Sequence, residues 1–182
     1  MQVEARRGAA WIRVALFTAV IYATLPVAPV VWRMFARRAG GGSEVIVLAG
    51  LVLTAFAVLS YAVRRAGPIG LGRTAAVVAV GAAYVAIIAT VELTPAEKLH
   101  FLYYGALAVL VYQALKVDLA GTALVVVTIL LVALIGFGDE VIQGIIPRRV
   151  FEWKDVALNA VSGLLATALI LVFEAEEIES SR

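Results

Sequence analysis

The chain contains no cysteine and a single histidine, His100. Without thiols there are no disulfides, no thiolate metal sites and no cysteine nucleophile. One histidine excludes a zinc site built from several imidazoles of one chain. Charge is also scarce: Asp, Glu, Lys and Arg make up 15% of the residues, with a formal net charge of +2. That balance, with no basic patch interleaved with aromatics, argues against a nucleic-acid partner. No internal repeat is visible.

Apolar side chains fill the space left by these absences. They form 63% of the 182 residues, and the mean hydropathy is +1.01. Soluble domains are roughly 45–50% apolar, and a soluble chain of this length could not hide the excess in one core. The composition predicts an all-α integral membrane bundle of about six transmembrane helices, since each span needs roughly 17–25 mostly apolar residues. Suitable runs fall near 10–31, 44–63, 74–91, 96–115, 119–138 and 155–173. Between them lie a basic, glycine-rich stretch (Arg33 to Ser43), a basic turn with Gly67-Pro68, a Thr94-Pro95 helix start, a short turn at Lys116 to Asp118, and a longer mixed segment, 139–154. Pro26, Pro29 and Trp32 after the first run, in place of a small-residue cleavage site, speak against a signal peptide. The protein is therefore expected in the cell membrane as a multi-pass protein. With basic residues beyond 95 set aside as functional, the remaining Arg and Lys place both termini in the cytoplasm. Oligomeric state is not legible.

Polar residues near lipid are expensive and mark function, and here they gather in the second half. Glu97, His100 and Tyr104 are spaced to share one helix face. Asp139, Glu140 and Gln143 close the fifth run, and Asp155, Asn159 and Gly163 form a stripe opening the sixth. Two crossings separate the loop before the fourth run from the loop between the fifth and sixth. All three clusters therefore fall on the same membrane face, whichever way the protein is inserted.

Thr94-Pro-Ala-Glu-Lys-Leu-His-Phe-Leu-Tyr-Tyr and Gly138-Asp-Glu-Val-Ile-Gln-Gly-Ile-Ile-Pro-Arg-Arg149, followed by Asp155, Asn159 and Gly163, resemble the two signatures of the VanZ-like family, named for a protein associated with teicoplanin resistance. The resemblance covers residues 74–173. It implies a four-helix membrane domain there; outside it, the residues read as two extra N-terminal transmembrane helices over 1–66 and an acidic tail over 174–182. It also implies site roles for Glu97, Lys98, His100, Tyr104, Asp139, Glu140, Gln143, Pro147, Arg149, Asp155, Asn159 and Gly163. Tyr103 stands where many members carry Glu.

Each of these residues also has a structural explanation. Thr94 and Glu97 fit a capping box with Pro95 at the first helical position. Asp155 suits a helix start, Asn159 can join helices by a hydrogen bond, Gly163 admits a close neighbour, and Arg148 and Arg149 can snorkel to the interface. Tyr and Trp residues fit interfacial belts, and the tail reads as solvated and frayed. The adjacent carboxylates Asp139 and Glu140 have the weakest structural account, because like charges repel. Glu140 and Arg149 are expected at helix ends that water can reach.

Three functions follow. In the first, the protein recognises an anionic lipid or lipid-linked cell-envelope precursor and contributes to glycopeptide antibiotic resistance. Arg149 and Lys98 would hold the anion, with hydrogen bonds from Gln143 and Asn159, and with Glu97, Tyr104, Asp139 and Asp155 completing the binding set. In the second, a membrane hydrolase or transferase acts on a lipid phosphate. His100 and Glu140 would be its catalytic groups, with imidazole supplying acid–base chemistry near neutral pH. Asp139, Glu140 and Asp155 would hold a divalent cation. The third is an ion-coupled transporter using Glu97, His100, Asp139 and Asp155 as relay groups.

Overall fold

The computed structural model describes residues 2–66, 70–147 and 149–179. Gly67-Pro68 and Arg148 lie outside the described residues, as do the side chains of the tail beyond Glu174. The described residues form α-helices and short 3-10 turns, with no strand.

The first helix, α1, runs Gln2–Thr24. It starts eight residues before the expected span and stops ahead of Pro26. Proline disfavours helical backbone in the residue before it and has no N–H to donate. A separate helix follows, α2 (Ala28–Ala39), with proline in its first turn. Arg33, Arg37 and Arg38, expected in a loop, therefore lie on a helix. Gly40, at φ +54°, ends it in a conformation that L side chains rarely adopt. The remaining helices are α3 (Ser43–Ala66), α4 (Leu71–Thr90), α5 (His100–Leu115), α6 (Gly121–Ile145) and α7 (Trp153–Glu179). The acidic residues expected to fray instead continue α7 to Glu179.

Six helices of 16 to 27 residues make the bundle. Among the described residues, four stretches are long and apolar enough to cross a membrane: Ala28–Ser60, Leu71–Thr90, Gly121–Ile145 and Trp153–Glu174. The two expected spans missing from this set fall short for different reasons. Helix α1 carries Glu4, Arg6, Arg7 and Arg13. Helix α5 has 16 residues, about 24 Å of rise, less than the ~30 Å hydrocarbon layer. It is wrapped by protein instead, with Tyr104, Leu107, Ala108, Val111, Tyr112 and Ala114 buried against α1, α6 and α7.

Polar contacts fix the helix directions. Arg7 pairs with Asp118 at 3.0 Å, and Glu174 accepts hydrogen bonds from Lys116 at 2.7 Å and Tyr112 at 2.8 Å. The start of α1, the end of α5 and the Glu174 end of α7 therefore share one end of the bundle. Glu174 is thus a half-buried partner of α5, where the sequence suggested a free solvated acid. At the opposite end, Tyr22 donates to the Ile135 carbonyl at 2.7 Å, Lys98 pairs with Glu44, and Lys154 pairs with Glu97 at 2.7 Å. All three polar clusters lie at this second end. Helices α6 and α7 approach closely at Gly163, where a Cβ would stand 2.6 Å from Val132 Cγ1.

Candidate functional site

The entry to α5 is built from the Thr94–Glu97 pair. The Thr94 N–H donates to Glu97 Oε2 at 2.7 Å, and the Glu97 N–H donates to Thr94 Oγ1 at 3.3 Å. This is the reciprocal capping pattern. Glu97 Oε1 also accepts from Lys154 Nζ at 2.7 Å, tying α5 to α7. Burial pushes the Glu97 carboxyl up, but the hydrogen bonds from Lys154 and Thr94 outweigh it and hold the group below its ordinary value.

One turn further along, His100 meets α7. Asn159 Nδ2 donates to the Gly136 carbonyl at 3.2 Å. A carbonyl can only accept, so Asn159 Oδ1 must face His100, whose Nδ1 lies 2.6 Å away. Two acceptors cannot bond each other, so Nδ1 carries a proton, and Nε2 is the ring nitrogen that Asn159 leaves unengaged. The approach depends on Gly136, where a Cβ would fall 2.6 Å from the Asn159 Cβ and 3.2 Å from the Tyr104 ring. The sequence reading missed Gly136; small residues facing a polar stripe on a neighbouring helix were the only available signal.

Tyr104 stacks on His100, with centroids 6.1 Å apart, and donates to Asp139 Oδ2 at 2.8 Å. Asp139 Oδ1 and Asp155 Oδ1 are buried with no hydrogen-bond partner among the described residues. Gln143 Nε2 donates to Glu140 Oε1 at 2.8 Å.

Glu140 departs from expectation. It is completely buried inside α6, not at a water-reached end, and its second oxygen accepts the Glu152 N–H at 3.2 Å. That bond fastens the segment returning from α6 to α7. The same segment is held by an aromatic cluster, with Phe151 5 Å or so from Trp153 (4.9 Å) and 6.0 Å from Phe137. Adjacent carboxylates are tolerated because they point to different partners: Asp139 to Tyr104 and Glu140 to the returning backbone.

A cavity of about 990 Å³ lies beside these groups. Glu97, His100, Tyr104, Asp139, Gln143, Arg149, Glu152 and Asp155 line its polar side. Phe17, Val20, Ile21, Leu25, Val31, Trp32 and Phe35, from α1, α2 and the turn between them, line its apolar side. Glu140 and Lys98 are not in the wall. Lys98 is buried and committed to Glu44 of α3. Asn159 stands behind His100, fully buried. Arg149 is half-buried in the wall and makes no side-chain hydrogen bond or ion pair among the described residues.

The carboxylates spaced to hold a cation are Glu97, Glu152 and Asp155, each offering an oxygen within 4.8 Å of the others. This set differs from the expected Asp139, Glu140 and Asp155, because Glu140 is occupied by Gln143 and the Glu152 N–H. Glu97 is itself engaged by Lys154 and Thr94, so a cation there would compete with those donors.

Fold and site together define a multi-pass, all-α membrane protein with a polar site at one end of its bundle. Residues 87–174 match the family model described as VanZ/LLP1. The match takes in the last turn of α4 and continues through α5 and α6 to Glu174 of α7. No curated protein matches the chain, and neither does any solved structure.

Proposed function

We propose that this protein binds the head group of a membrane lipid or lipid-linked envelope precursor in the cavity at the polar end of the bundle. The observation that carries the reading is the division of that one cavity: aromatic and aliphatic side chains of α1 and α2 on one side, His100, Asp139, Gln143, Arg149 and Asp155 on the other. An amphipathic ligand matches such a wall, because its alkyl portion removes apolar surface from water while its head group satisfies buried polar atoms. Arg149 is the phosphate or carboxylate ligand, as a planar donor fork with no side-chain partner among the described residues. A role in glycopeptide resistance is part of this reading, supported by the partial VanZ/LLP1 match.

Native mass spectrometry of gently purified protein tests it. The expected result is a retained lipid, lost in Arg149→Gln without a fall in thermal stability. Protein that carries no lipid and binds none on titration would overturn the reading.

A second reading is an enzyme acting on such a lipid, and the His100–Asn159 bond favours it. With Nδ1–H fixed by Asn159, Nε2 can accept a proton at the cavity and return it. Turnover of the retained lipid in vitro, abolished by His100→Gln, separates catalysis from binding. Ion-coupled transport is less well supported, since the deeper hydroxyls of Thr128, Ser162 and Thr167 bond back to their own helix carbonyls and form no relay.

A further inference from the structure

Sorting the polar atoms of the cavity wall by whether they are already satisfied narrows the ligand. Glu97 is answered by Thr94 and Lys154, and Tyr104 by Asp139. The Gln143 amide lies nearby and commits one of its two Nε2 N–H groups to Glu140. Beyond the exposed Glu152 carboxylate and His100 Nε2, which also face the cavity, what remains unanswered is of two opposite kinds. Arg149 offers N–H donors with no side-chain acceptor among the described residues. Asp139 Oδ1 and Asp155 Oδ1 are acceptors with no donor among the described residues, in residues only 2% and 8% exposed. A buried carboxylate oxygen without a donor is costly, and these two belong to different helices, α6 and α7, that face the same cavity.

A head group bearing phosphate alone would answer Arg149 and leave both carboxylate oxygens unpaired beside added negative charge. A head group bearing a primary ammonium as well supplies three N–H donors for those oxygens. Resting on the lipid-binding reading above, we infer that the cavity selects an amphipathic lipid whose head group joins a phosphate to a primary ammonium, the phosphoethanolamine pattern. Arg149 takes the phosphate, and Asp139 and Asp155 take the ammonium. Selectivity resides in the N–H donors: a trimethylammonium keeps the charge but has none to give.

The test is native mass spectrometry of the full chain in detergent, titrated in turn with phosphatidylethanolamine, its mono-, di- and trimethylated forms, and phosphatidylglycerol, all with the same acyl chains. The expected apparent Kd for phosphatidylethanolamine is about tenfold below those of the trimethylated lipid and phosphatidylglycerol, as charge-assisted hydrogen bonds imply. Affinity should fall stepwise with each N-methyl group. Asp139→Asn and Asp155→Asn should each erase the preference while keeping phosphate-dependent binding, and Arg149→Gln should weaken every lipid alike. The methylation series uses the unaltered protein, so a variant that fails to fold leaves the test intact. Equal affinity across the methylated series, or tighter phosphatidylglycerol, overturns the inference and leaves lipid binding standing. Binding that requires added magnesium and is lost in EDTA also overturns it, assigning Asp155 to a cation with Glu97 and Glu152. Failure to bind any of these lipids, or any retained one, defeats the lipid-binding reading itself.

Discussion

Helices α3 and α4, like α6 and α7, belong to stretches apolar enough to cross a membrane, yet the two pairs use apolarity differently. In the α3 and α4 stretches, 6% and 0% of the most apolar window is buried within the protein; in α6 and α7 the shares are 22% and 33%. Val52, Leu53, Phe56 and Val58 of α3 and Val78 and Val85 of α4 stand exposed, which suits lipid as solvent. Around α5, by contrast, α6 and α7 bury Thr128, Asp139, Glu140, Asn159, Ser162 and Thr167. Hydropathy measures how readily a helix enters a bilayer. Only the spacing of small and polar residues shows which helix turns its face to protein.

The largest expected effect sharpens that contrast. Phe56→Lys, at an exposed position midway along α3, should oppose membrane insertion by about 3 kcal/mol, read in a glycosylation-tagged insertion assay. An unchanged insertion efficiency would mean that α3 does not face lipid.

Next is Gly163→Leu, where the first added carbon already meets Val132 at 2.6 Å. Overpacking of this kind costs about 1–3 kcal/mol. Gly50→Leu in α3 and Gly81→Leu in α4, with nothing within 4 Å, should leave thermal unfolding in detergent unchanged. Equal losses in all three variants would erase the distinction between the two regions.

Within the C-terminal helices, Glu140 and Arg149 should part company. Glu140→Gln sets an amide N–H against either Gln143 or the Glu152 N–H, and leaving a buried donor unmet costs about 1–3 kcal/mol. Its melting temperature should fall, whereas Arg149→Gln should melt like the unaltered protein and lose ligand. A stable Glu140→Gln would show that the returning segment is held by its aromatic cluster alone.

The smallest effect is a pH dependence. Because Glu97 titrates below its ordinary value, its pairing is fully present above about pH 4.3 and is lost as pH falls through the lower folded-state value. Lys154 is 39% exposed, so the contribution should stay below about 1 kcal/mol. Glu97→Gln should flatten the acid limb of a stability–pH curve; an unchanged limb would assign acid sensitivity to other carboxylates.

Much of this was legible from residue order. Long apolar runs separated by Pro, Gly and charge located six helices, because lipid demands that backbone groups be satisfied within each segment. The Thr94–Glu97 cap was visible as a local pattern, and counting crossings grouped Glu97, Asp139 and Asp155, which the structure places at one end of the bundle. Local spacing also drew attention to His100, Tyr104 and Asn159, whose contacts join three helices. Tertiary structure decided the rest. Helical periodicity says which residues share a face but not which neighbour that face meets. It could not show that Lys98 is spent on Glu44, that Glu140 turns inward to hold the returning segment, or that Gly136 makes room for Asn159. Nor could it show that the break at Pro26 lets α1 and α2 supply an apolar wall opposite the polar site. Those outcomes depend on which donor and acceptor meet first in a crowded interior, and that is fixed by distances between helices rather than by order along one.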